Sequence, residues 1–180
     1  WTQSLGRELW ILPDGEHYPS MLADICPGPA SGNPGEFVST GRFAVFKATG
    51  PDNRASVWIT DGTAQGTKSV GVGVPEDAVN WTYGVAMIVR TVDGRRRLMT
   101  YSPDSGILIP HLTEWQERSL NIRNLRATTN RLFFIATHPS FGEELWCTDS
   151  LGWENTRMVR DLSPNRAADA TEDDGMETAP

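Results

Sequence analysis

Apolar residues along this chain fall in short runs that alternate with polar ones or are closed by turn residues. Ser56–Thr60 is the clearest case: Val57, Trp58, Ile59 and Thr60 are β-branched or aromatic, which suits a pleated, half-buried strand. Asp61-Gly62 then gives a turn, because Gly accepts positive φ and Asp bonds its own following backbone. Gly66 relaxes the chain again before a strand over Thr67–Val74. The same signals predict strands at Glu8–Leu12, Ser20–Ile25, Glu36–Thr40, Arg42–Thr49, Val85–Val92, Arg96–Tyr101, Ile107–His111, Leu120–Leu125, Leu132–Thr137, Glu144–Thr148 and Arg157–Leu162. Apolar residues at helical spacing are scarce, so the pattern predicts an all-β chain.

The hairpin around Asp61 is copied. Glu143-Glu144-Leu145-Trp146-Cys147-Thr148-Asp149 repeats its Trp and Asp three apart, and Arg7-Glu8-Leu9-Trp10-Ile11-Leu12-Pro13-Asp14-Gly15 carries one extra residue before the turn. A degenerate copy, Arg97–Gly106, has Met99 where the others have Trp, and Asp104 in its turn. The anchors Trp10, Trp58, Met99 and Trp146 are spaced 48, 41 and 47 residues apart. Flanking matches keep the same register: Ala48-Thr49-Gly50-Pro51 and Ala136-Thr137-His138-Pro139 stand equally far before their Trp. Asp24-Ile25-Cys26-Pro27 and Asp161-Leu162-Ser163-Pro164 follow the first and last hairpins. A period in the forties with several short strands per unit fits a propeller blade.

These residues resemble a bacterial tandem repeat of pattern E-L-W-x-[ST]-D-G-T-x-x-G-T-x-L-V-x-D-I-x-P-G, over roughly residues 6 to 165. The match is tightest from Trp58 to Thr67 and loosest from Arg95 to His111. The resemblance implies a β-propeller-like fold and a secreted or cell-surface location. It carries no catalytic motif onto this chain.

The pattern divides the chain into a partial blade over 7–25, blades over 36–74, 80–111 and 118–162, and an acidic tail over 166–180, expected to be disordered. The fold class is therefore an all-β, β-propeller-like array of four-stranded antiparallel blades, about three and a half in number, over 1–165. An array that starts and stops inside a repeat exposes strand edges. It is expected to be completed by further sequence, by another protein chain or by a second copy.

Composition narrows the partners. A net charge of −7 argues against a nucleic-acid backbone. No apolar run reaches the ~20 residues of a membrane-spanning helix. The two cysteines, Cys26 and Cys147, have no zinc-site spacing; they are either separate apolar residues or a disulfide tying the first unit to the last.

Candidate chemistry is sparse. Asp14, Asp61, Asp104 and Asp149 sit in the hairpin turns. They could offer oxygen ligands to calcium, but one acid per turn fits better with fixing the hairpin, so no cofactor and no metal is expected. Trp10, Trp58 and Trp146 recur at equivalent positions, as core anchors do. Trp81, Trp115 and Trp153 lie outside the repeat. Trp81 with Tyr83, and Trp115 in the 112–118 loop, are the candidate ligand surface, because loop aromatics stack on sugars or anchor proteins. His17, His111 and His138 lie in three different units without a nucleophile motif and read as solvated loop residues. Arg95-Arg96-Arg97 reads as a charged strand edge or as a clamp for an anionic group. Together these features predict a non-catalytic extracellular binding or scaffold domain for protein or glycan. The alternatives are a structural subunit of a multi-chain surface assembly, and a glycan hydrolase or lyase on the same scaffold.

Overall fold

The computed structural model describes residues 5–111, 121–139, 141–151 and 153–161. These residues form 14 strands in four antiparallel sheets. The first sheet has two strands, β1 (Leu9–Ile11) and β2 (Ser20–Ala23). The second has four, β3 (Gly35–Ser39), β4 (Ala44–Thr49), β5 (Ala55–Thr60) and β6 (Lys68–Val72). The third comprises β7 (Val74–Trp81), β8 (Gly84–Arg90), β9 (Arg96–Ser102) and β10 (Ile107–Pro110). The fourth comprises β11 (Arg123–Ala127), β12 (Leu132–His138), β13 (Gly142–Thr148) and β14 (Arg157–Arg160), with one turn of 3-10 helix at Trp153–Asn155 before the last strand. Each sheet is a meander in which consecutive strands pair, as short turns between antiparallel strands require.

One boundary differs from the sequence expectation. The third sheet begins at Val74 rather than near Asn80, and a single residue separates it from the second. Val70-Gly71-Val72-Gly73-Val74 looks like one continuous strand by its apolar pattern. The break falls at Gly73, which has φ of 132°. A Cβ there would lie 2.7 Å from Val89 Cγ1 and 2.8 Å from the Arg90 carbonyl oxygen, so the close crossing needs glycine.

Side-chain alternation then stacks the sheets in chain order. Phe46, Ala48 and Trp58 on one face of the second sheet pack on Leu9 and Ile25 of the first unit. Val45, Val57 and Ile59 on its other face meet Val85, Met87, Val89 and Tyr101 of the third. The opposite face of the third sheet, with Ala86, Ile88 and Leu98, meets Leu125, Leu132, Phe134 and Ala136 of the fourth. Strand β8 is thus covered on both sides, which explains why Val85 to Val89 are all buried and run apolar without alternating. Phe46 and Phe134 are fully enclosed, and each such side chain contributes roughly 1.5–3 kcal/mol from burial.

Polar contacts pin neighbouring sheets. Asn80 donates from its side-chain amide to the Thr40 carbonyl. Leu125 N donates to Asp77 Oδ2 at 2.9 Å, and the Thr82 hydroxyl donates to the Thr129 carbonyl at 2.8 Å.

The Trp anchors coincide with a break in the ladder. Pairing shifts register at Leu9/Trp10, Val57/Trp58 and Leu145/Trp146, whereas β9–β10, with Met99 at the equivalent place, is regular. A bulge increases local twist and re-aims a side chain, so the indole and the bulge occur together.

Candidate functional site: the outer faces of the stack

The expected aromatic surface is only partly at the surface. Trp81 is buried in the core between the third and fourth sheets, and Tyr83 is exposed beside it. Their rings meet edge to face with centroids 5.0 Å apart, and the Tyr83 hydroxyl reaches the Asp149 carbonyl at 3.4 Å. A ligand at this corner would meet the Tyr83 ring, because the Trp81 indole is enclosed. Trp115, the 112–118 loop and the 166–180 tail lie outside the described residues.

His111 corrects the expectation of solvated histidines. It is buried against Trp81 with ring centroids 5.5 Å apart, and its Nε2 lies 2.6 Å from the Thr100 hydroxyl. Burial pushes its pKa down to about 4, so it is neutral in the folded chain. The Trp81 indole N–H and His111 Nδ1 are enclosed with no hydrogen-bond partner among the described residues. His17 is exposed, and the His138 ring packs on Phe141 and Trp146.

Two of the turn acids, Asp61 and Asp149, are engaged locally. Asp61 Oδ1 accepts from Thr63 N at 2.9 Å and from the Thr63 hydroxyl at 2.7 Å, which holds the exposed carboxyl below its usual range. The Thr67 hydroxyl donates to the Thr63 carbonyl at 2.6 Å and lies 2.7 Å from the Thr60 hydroxyl. A Cβ at Gly66 would stand 2.0 Å from Asp61 Oδ1, so a larger residue there must displace the carboxylate that accepts from Thr63. The spacing Asp-Gly-Thr-x-x-Gly-Thr is therefore one self-contained hydrogen-bonded turn. Asp149 pairs with Arg157 at 3.4 Å. Among the described residues, no group of three His, Cys, Asp or Glu side chains is placed to hold a metal ion.

The arginine run is also tied down. Arg95 pairs with Asp93 at 3.4 Å, while Arg96 and Arg90 share the Glu76 carboxylate. Burial pushes the Glu76 pKa up, but hydrogen bonds from Arg96 and Arg90 outweigh it and hold the carboxyl below its ordinary range. Beyond this pair, a cleft of about 570 Å³ opens between the second and third sheets, lined by Asn53, Arg54, Val72, Arg90 and Val92.

Cys26 and Cys147 are separate buried thiols, one in each end unit, so no disulfide joins them.

A buried acid escaped the sequence expectation. Glu8 accepts from Ile25 N at 2.6 Å and Cys26 N at 3.2 Å on Oε2, and from Gly32 N at 2.9 Å on Oε1. It fastens the loop after β2 to β1. Its repeat equivalent, Glu144, is buried too. Glu preceding Leu-Trp in both copies was the available signal.

The largest departure from core-like surroundings lies at the ends of the stack. Trp58, Met99 and Trp146 are half-buried against the sheet before them, but Trp10 is 51% exposed. Trp10 and Met21 are directly opposite in the ladder, so they share the outer face of the first sheet; Leu12, at 60% exposure, follows Trp10 by two residues. On the fourth sheet the outer face carries Phe133, Ile135 and Leu145. No family model, no curated protein and no solved structure matches this chain.

Proposed function

We propose that the chain is a non-catalytic binding and scaffold domain, built as about three and a half blades of a β-propeller-like array, that acts outside the cell or at its surface. It engages protein or glycan through its inter-strand loops and exposed edges. The observation that carries this reading is the outer face of the first sheet, where Trp10, Leu12 and Met21 stand in solvent. Trp10 and Met21 are cross-strand neighbours, and a contiguous exposed apolar patch marks a place where another molecule sits. The acids and arginines described above, engaged with one another or with backbone, support a structural rather than catalytic use of charge. The extracellular location rests on the resemblance of the Trp58–Thr67 repeat to secreted and surface proteins.

The test is an array of glycans and surface proteins probed with the purified chain, run beside hydrolase and lyase assays on the same glycans. Saturable binding that falls on Tyr83→Ala or Trp10→Lys supports the reading. Turnover of a glycan without saturable binding of any partner overturns it. A second reading, a structural subunit of a multi-chain assembly, is favoured by the additional exposed face at the far end of the stack.

A further inference from the structure

The geometry points to a second binding site, in the seam between the second and third sheets, for a ligand that carries one carboxylate on an apolar body. The site lies apart from the outer face of the first sheet and stands whether or not that face binds anything.

The cleft encloses about 570 Å³, within the roughly 300–1,000 Å³ of small-ligand sites. Its walls are fixed by backbone hydrogen bonds. Gly73, where β6 passes directly into β7, lies in the lining, and its N donates to the Ala55 carbonyl at 3.0 Å, which fastens this crossing to the start of β5. On the third sheet the wall is the turn after β8, in which Thr91 N donates to the Arg95 carbonyl at 2.8 Å and Gly94 N to the Thr91 carbonyl at 2.9 Å. On the second sheet it is the turn before β5, in which Asn53 N donates to the Gly50 carbonyl at 3.0 Å and Arg54 N to Asp52 Oδ1 at 3.1 Å. Walls made of hydrogen-bonded turns are in place before a ligand arrives, so binding carries little ordering cost.

Charge selects the ligand. The chain has 23 Asp and Glu against 16 Lys and Arg, yet the cleft is lined by Arg54 and Arg90 and by no acid. The neighbouring acids serve their own turns: Asp52 accepts from Arg54 N, and Asp93 accepts from the Thr91 hydroxyl. Arg90 is held by Glu76. Among the described residues no side-chain partner holds the Arg54 guanidinium. Its fork of donors is therefore free for a carboxylate, which it matches with two parallel bonds.

The rest of the lining asks for an apolar body. Val72, at 50% exposure, and Val92, at 86%, line the same cleft, and an apolar ligand removes both from water. No aromatic side chain is among the lining residues, so a sugar ring finds no aromatic surface to stack on. An apolar carboxylate has two sources, the C-terminal residue of a peptide and a free fatty acid.

The test is titration of the isotope-labelled full chain, followed by NMR, with each acid beside its amide. The probes are the peptide Gly-Ser-Ala-Val-Leu with a free C-terminus, the same peptide amidated, octanoate and octanamide. At least one acid should shift the amides of Arg54, Gly73 and Val92 saturably, and the acid that does so identifies the source. Its amide should bind about tenfold more weakly or worse, and so should the acid to Arg54→Ala or Val92→Asp. Arg54 and Val92 are exposed, and unchanged resonances in β8 check that each variant is folded. Arg131→Ala, at an exposed arginine in the turn between β11 and β12, should leave affinity unchanged. No saturation by either acid up to about 10 mM, equal binding of acid and amide, or undiminished binding to Arg54→Ala overturns the proposal. The resonances that move belong to the seam, so the result is read separately from binding at Trp10 or Tyr83.

Discussion

Replacing Glu8 with alanine removes the acceptor of three buried amides at once, those of Ile25, Cys26 and Gly32. An unpaired buried donor costs about 1–3 kcal/mol, so the summed loss is on the order of 3–6 kcal/mol once partial entry of water is allowed. The first sheet is held on the second by a small cluster, Leu9 and Ile25 against Phe46 and Ala48. The loss is therefore capped at the free energy of undocking that hairpin, because local opening becomes easier than global unfolding. Native-state hydrogen exchange separates the two. The amides of Ile25, Cys26 and Gly32 should lose protection together with β1 and β2, while those of β8 keep theirs. Glu8→Gln keeps one carbonyl oxygen and should cost less, about 1–3 kcal/mol. Unchanged protection at Ile25, Cys26 and Gly32 in the alanine variant would refute the reasoning.

His111 makes stability depend on pH. Its folded pKa near 4 lies below the ordinary 6.5, so the unfolded chain takes up the proton first as pH falls. The contribution is fully present above pH 6.5 and is lost as pH drops toward 4, by about 3 kcal/mol from this residue. Urea midpoints across that window, compared with His111→Phe, measure it; equal slopes in both proteins would count against the assignment. Phe134→Ala should cost about 3–5 kcal/mol because the ring is fully enclosed, whereas Trp10→Ala should cost under about 1 kcal/mol, and denaturant titration compares them. Gly66→Ala drives a Cβ into the Asp61 carboxylate and should lower Tm by about 2 °C or more, read by calorimetry.

The sheets were legible in the sequence wherever strands alternate and turns carry Gly and Asp, as around Trp58 and Trp146. The break at Gly73 was not, because periodicity cannot distinguish one long apolar strand from two strands joined by a single residue. The burial of Trp81 and His111 depends on contacts between the third and fourth sheets, which local pattern does not encode. Glu8 was visible as a recurrent letter, but its role needs three amides from a loop up to 24 residues away. The unequal exposure of Trp10 and Leu145 follows from position in the stack, so identical local motifs acquire different surroundings.

Since each hydrophobic cluster joins only adjacent sheets, cooperativity in this molecule is transmitted in single file. Thermodynamically it behaves as a one-dimensional chain of coupled units, whose total is a sum of intrinsic and nearest-neighbour terms. Melting is then expected to begin at the termini, with the second and third sheets, each clamped from both sides, the last to go. Evolution could lengthen or shorten such an array by duplicating whole units, without redesigning any junction already in place.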